Sequence, residues 1–167
     1  SLVVDGDLDF ENEYRVLGAP AGYFQRTETG RLPNDFSIGP ALVWLPWFVL
    51  AHLLGELGLY RPTGFGCPYF TAIATGTVAA EFVGVVCLFR FVRAYFPSGI
   101  AFVSTLLVWL ASFHIWYMVF EPSMSHAMAM ASVAGLLLLT HEGTSGVKGF
   151  VVLDALSGVV ALMRWQN

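Results

Sequence analysis

From residue 62 to residue 120 the chain carries only three charged side chains, Glu81, Arg90 and Arg93. A stretch this long and this apolar has no polar face to turn to water, which an amphipathic helix or strand of a soluble domain requires. The solvent it is built for is the bilayer, where helices of roughly 20 apolar residues satisfy their own backbone groups. The whole sequence agrees: 56% of residues are hydrophobic and 12% charged, with a mean hydropathy of +0.67. Charge is also segregated, since seven of the twelve acids precede residue 36. A net charge of -4 with no Lys/Arg cluster excludes a nucleic-acid partner, which needs a basic footprint.

The predicted fold class is therefore all-α: a polytopic transmembrane helical bundle preceded by an acidic polar segment. Four spans are predicted, at about residues 69–92, 98–120, 124–140 and 148–163, separated by Pro97-Ser98-Gly99, Glu121-Pro122-Ser123 and Gly143-Thr144-Ser145-Gly146. Residues 40–59 form a fifth apolar stretch of ambiguous placement. It is nearly long enough to span, but Pro46 interrupts it and His52 and Glu56 share one face at i,i+4. Residues 1–39 are polar, with turn signals at Gly18, Gly30-Arg31 and Pro33-Asn34. With no initiator Met, no basic leader and no polar tail, the sequence reads as the interior of a longer chain. Cys67 and Cys87 would stand about 30 Å apart on one helix, too far for a disulfide.

Arg90 and Arg93 close one predicted span and Lys148 opens the last, so four alternating helices put all three on one side, the cytoplasmic side by the positive-inside rule. The turn from Glu121 to His126 and the end Arg164-Trp165 then face outward, and Tyr69, Trp116, Tyr117 and Trp165 form an outer aromatic belt. Residues 1–39 join that side only if 40–59 does not cross.

Several groups of residues could carry chemistry. Asp5, Asp7, Asp9, Glu11 and Glu13 alternate, and on a strand-like segment all five would share one face. Such a face suits a cation at Asp5, Asp7 and Asp9, a hydroxyl-bearing substrate, or plain solvation. It is not an EF-hand, because Phe10 and Val16 stand where Gly and Glu are needed. Glu121 and His126 flank a helix junction and could move a proton or hold a polar substrate; the competing reading is a turn capped by Ser123 or Ser125. Arg164, with Gln166 nearby, offers donors for a phosphate or serves as an interfacial anchor. Glu81, His114 and Asp154 fall inside predicted spans, where ionisable groups are costly, and Glu81 and His114 match in depth to about 5 Å. His141-Glu142 does not begin a zinc-protease motif, since Ser145 stands where the second His would be.

In order along the chain come the acidic run ending at Glu13-Tyr14, then Asn34-Asp35-Phe36-Ser37-Ile38-Gly39-Pro40-Ala41-Leu42-Val43-Trp44-Leu45-Pro46. Next are Glu121-Pro122-Ser123-Met124-Ser125-His126-Ala127 and Ala161-Leu162-Met163-Arg164-Trp165-Gln166-Asn167. This order resembles the N-terminal part of bacterial membrane glycosyltransferases of the GT-C superfamily, of the protein mannosyltransferase and aminoarabinose transferase type. The resemblance implies an outward first loop bearing the catalytic acid, juxtamembrane or re-entrant helices at 40–59, and an extracytoplasmic active site in the inner (plasma) membrane. It also implies a polyprenyl-phosphate sugar donor and a glycan, lipid or protein acceptor. Carried over by position, Asp9 or Asp7 is the catalytic base. Asp5, Glu13, Tyr14, Glu121, His126, Arg164 and Gln166 bind substrate, Arg164 meeting the phosphate. The family's adjacent Asp-Glu before Tyr is replaced here by Asp7-Leu8-Asp9 and Glu13-Tyr14, which leaves the base open between Asp7 and Asp9. No resident cofactor is implied, and a divalent cation stays open. The alternatives from other classes are an ion-coupled transporter using Glu81, His114 and Asp154, and a non-catalytic membrane subunit.

Overall fold

The structure, a computed structural model, describes residues 3–6, 9–34, 37–143 and 146–163. The described residues form helices and no strand: α1 (Glu11–Leu17), α2 (Ile38–Glu56), α3 (Cys67–Arg93), α4 (Ser98–Leu110), α5 (His114–Val119), α6 (His126–Glu142) and α7 (Gly146–Met163). Three of them, α2, α3 and α7, are long and apolar enough to cross a membrane. Many of their large apolar side chains point outward, among them Leu50 and Leu53 of α2, Phe82 and Val83 of α3 and Phe150 and Val151 of α7. That inversion of the soluble pattern suits a lipid surround.

The 27-residue α3 is the mast of the bundle. Its inner stripe is small: Gly76, Ala80 and Gly84 recur every fourth residue, and α6 answers Ala80 and Gly84 with Ala127 and Ala131. Between apolar helices in an apolar solvent, attraction comes from close van der Waals contact, which small residues permit. The fit is tight. A side-chain carbon added at Gly84 would lie 2.9 Å from the Ala131 Cα, and one at Gly76 would lie 2.6 Å from the Trp47 ring of α2.

Hydrogen bonds and contacts fix the register. Trp44 of α2 bonds to Thr77 and His52 of α2 to Tyr69, so α2 runs antiparallel to the first part of α3. Thr77 also meets the Pro122 carbonyl, and Arg90 meets Glu142, so α6 runs parallel to α3. Extrapolating the α2 register puts Ser37 level with Gly84, nine residues or about 14 Å short of Arg93. Pro46 lies inside α2 without ending it. Arg90, Glu142, Tyr95 and His141 gather at one end of the bundle, where α7 also begins.

Two expectations need correction. The span predicted over 98–120 is broken between α4 and α5. Ser112 donates to the Trp109 carbonyl and accepts from the His114 N–H, local bonds that compete with a continuous helix. Tyr69, assigned to an outer aromatic belt, is only 2% exposed. It sits among Phe48, His52 and Tyr60 and bonds to His52, while Trp116 does stand 52% exposed.

Because Gly84 meets backbone rather than a flexible side-chain tip, Gly84→Leu is expected to lower stability by about 1–3 kcal/mol. Gly158→Ala, on an open face of α7, should be neutral or stabilising by up to about 1 kcal/mol. Thermal unfolding in detergent compares the two, and equal effects would contradict the α3–α6 packing.

Candidate functional site

The acidic segment is folded, and not as a strand. From Glu11 the chain turns into α1, so Glu11 and Glu13 do not continue a strand-like face. Glu11 and Glu13 in its first turn complement the helix dipole, and Gly18 ends it in the left-handed region at φ 67°. The Asp9 carboxylate accepts from the Glu11 N–H at 3.1 Å, and Asp5 accepts from Asn12 at 2.9 Å. Asp9 and Asp5 are exposed, while Glu13 is half-buried with its carboxylate oxygens covered.

Tyr14 holds this cap together. Its ring packs against Phe10, Tyr23 and Phe24, and its hydroxyl donates to the Pro33 carbonyl at 2.7 Å. Beside it Glu11 takes Arg15 at 2.7 Å and Arg26 at 3.0 Å, around a cleft of about 370 Å³ floored by Leu32. The hydrogen bond from Arg15, then the Arg15 charge and the weaker pull of Arg26, hold the Glu11 carboxyl below its ordinary value of 4.5. Tyr14 is thus a framework residue, a role that reading it as substrate-binding does not contain.

The cap reaches the bundle at two places. Val4 covers Gly64 in the α2–α3 connection. Four residues after Pro33, Ser37 donates to the Met163 carbonyl at 2.7 Å, and Gly39 lies directly against the Leu162 backbone. Four residues of chain span at most about 14 Å, so the cap is tethered closely to the end of α7. There Met163 packs with Ala127, Met128 and Ala129 of α6 and with Val43, Trp44, Ala80 and Val159. The starts of α2 and α6 and the end of α7 therefore form one junction beside the middle of α3.

At this junction His126 opens α6, stacked on Tyr117 with ring centres 3.9 Å apart and edge-on to Phe113. Glu121 is exposed in the preceding turn, whose Pro122 is buried against Thr77. Ser125 occupies the N-cap position of α6 but makes no side-chain capping bond. Asp7, Arg164 and Gln166 lie outside the described residues, so the site includes them by sequence position alone.

A second polar group stands apart from these. Glu81 on α3 faces His114 of α5, with Oε1 and Nδ1 3.5 Å apart, which is the pairing their matched depth predicts. Asp154 is exposed on α7, so these three do not line one path. Among the described residues no three His, Cys, Asp or Glu side chains gather as a metal would need; the trio Asp5, Asp7 and Asp9 falls partly outside them. Cys67 and Cys87 are free thiols. Comparison with family models, curated proteins and solved structures finds no match.

A carboxyl held low stabilises the fold above its ordinary value and ceases to do so as pH falls through the lowered one. Hydrogen-exchange protection of α1 and residues 23–32 should hold from neutral pH to 4.5 and decline below it. Glu11→Gln should lower protection roughly a few-fold at neutral pH and remove the acid dependence. An unchanged acid profile would assign the dependence to another group.

Proposed function

We propose that the chain is part of a membrane glycosyltransferase that moves a sugar from a polyprenyl-phosphate donor to a glycan, lipid or protein acceptor on the extracytoplasmic side of the plasma membrane. The observation that carries this reading is the short tether from the folded acidic cap to the junction of α2, α6 and α7. That tether joins the cap, which bears Asp9, to the end of α7, from which the chain leads to Arg164. The reading also draws on the order of sequence motifs. α2 stops short of the level of Arg93, as a juxtamembrane or re-entrant helix would. Ala80 at the junction is 13 residues, about 20 Å, from Arg93. In a hydrocarbon layer about 30 Å thick, the junction then extends from the level of Ser37 near mid-depth to that of Ala80, about 10 Å short of the outer edge.

In this reading a carboxylate, Asp9 or Asp7, takes the proton from the acceptor as its oxygen or nitrogen attacks the anomeric carbon and the sugar–phosphate bond breaks. Arg164 meets the negative charge gathering on the departing polyprenyl phosphate, with His126 and Gln166 as further donors. Asp5, Glu13 and Glu121 line the polar approach. The exposure of Asp9 suits a base that must reach an acceptor arriving from water.

In the full-length protein the base's Asp→Asn change should lower transfer from a polyprenyl-phosphate sugar by about 10²-fold or more, with membrane insertion unchanged. Asp9→Asn and Asp7→Asn, tested singly, identify which of the two it is. Wild-type transfer in both variants would remove the acidic cap from the mechanism.

A further inference from the structure

Glu81 is 1% exposed, and neither carboxylate oxygen has a hydrogen-bond partner. Its neighbour His114 is the first residue of α5, put there by the break at Ser112. Their separation of 3.5 Å is that of an ion pair, somewhat longer than a well-formed N–H···O bond. On α4, Thr105 and Trp109 also bury an unpartnered hydroxyl and indole N–H. The contact of Phe89 with Phe102 sets the antiparallel α3–α4 register and brings Trp109 to the level of Glu81. Trp109 thus joins Glu81 and His114 as an unsatisfied polar group at one level, with Thr105 about a turn away, in an apolar bundle where each is costly unless it serves a ligand.

His114 is also reached from outside. It lines a groove of about 300 Å³ between α3, α5 and α6, together with Phe113, His126, Met130 and Val133. The charged and titratable groups around the pair are few. α4 has none, α5 adds Tyr117, and α6 offers His126 across the groove. His141 and Glu142 of α6 lie at the far end with Arg90 and Tyr95, and Arg93 ends α3 there as well. On α2, His52 and Glu56 belong to the Tyr69 cluster, twelve residues or about 18 Å along α3 from Glu81. No fixed charge on these elements neutralises Glu81, so the balance falls to His114.

Net charge decides the occupancy. With no proton the pair is a lone buried anion, and with two it is a lone buried cation; both are disfavoured away from water. With one proton it is neutral, whether as carboxylic acid beside imidazole or carboxylate beside imidazolium. We propose that Glu81 and His114 form an intramembrane proton-binding site, reached through the groove between α3, α5 and α6, whose single proton keeps α5 seated against α3. Loss of that proton leaves the carboxylate without a counter-charge and favours movement of α5 toward the groove. Glu81 and His114 are distinct from the residues of the sugar-transfer reading, although the groove shares His126 with it.

The probe is dicyclohexylcarbodiimide, an apolar reagent that adds to protonated carboxyl groups within membranes, applied to the protein in lipid vesicles and read by site-resolved mass spectrometry. At about pH 6, where exposed carboxyls are ionised, Glu81 should be modified about ten-fold more than the exposed Glu121 and Glu142. In His114→Gln the carboxyl has no base with which to share the proton, and modification should rise several-fold. Modification of Glu81 no greater than that of Glu121, or equal modification of Glu81 in wild type and His114→Gln, would overturn the proposal. Should His114→Gln fail to fold, the wild-type comparison decides, and modification of Glu81 no greater than that of Glu121 overturns it.

Discussion

The Thr77 hydroxyl is the point on which the arrangement turns. Wholly buried on α3, it accepts from the Trp44 indole of α2 at 3.0 Å and lies 2.6 Å from the Pro122 carbonyl in the turn before α6. It also lies 3.1 Å from the Ile73 carbonyl in its own helix, and the shorter distance favours Pro122 as acceptor. In an apolar surround a turn carbonyl left without a donor is costly. One side chain thereby draws α2 and the Glu121–His126 turn to the same height on α3. The small residues at Gly76, Ala80 and Gly84 then let both partner helices approach closely enough to stay there.

Much of the helical framework is legible in the sequence because it rests on one-dimensional signals. Apolar length predicts α3 and α7, and Pro97, the Glu121–Ser123 turn and Gly143 of the predicted breaks fall between helices, while Ser98 and Gly146 begin the helices that follow. The matched depth of Glu81 and His114 follows from helical rise alone. The break after Leu110 is harder to read, because Ser112 is a single hydroxyl in an apolar run and its effect depends on which carbonyl it meets. Tyr69 misleads for a related reason. Position alone makes it an interfacial aromatic, whereas a ring of Phe48, His52 and Tyr60 drawn from two other segments encloses it.

The acidic segment shows the same divide between local and tertiary information. Alternation of Asp and Glu reads as a strand-like face, yet Asp9 accepting from Glu11 starts a helix and Gly18 closes it. Its organiser is Tyr14, and the partner carbonyl at Pro33 is nineteen residues away. Nothing in the spacing of acids announces that contact. The turn signals at Gly18 and Gly30 are the readable part, each glycine adopting the positive φ that suits it to a tight turn. The tether from Pro33 to the Met163 carbonyl is also invisible in sequence, since Ser37 and Met163 are 126 residues apart.

The proposed sugar transfer requires the acidic cap on the outer side of the membrane, opposite Arg90, Arg93 and Lys148. Single cysteines at positions 9 and 148, each in a chain lacking Cys67 and Cys87, test it when a membrane-impermeant thiol reagent is added to right-side-out and to inverted vesicles. With that arrangement position 9 is expected to react in right-side-out vesicles and position 148 only in inverted ones. Reaction of both positions from the same side would contradict it, since cap and basic end would then share one face of the membrane.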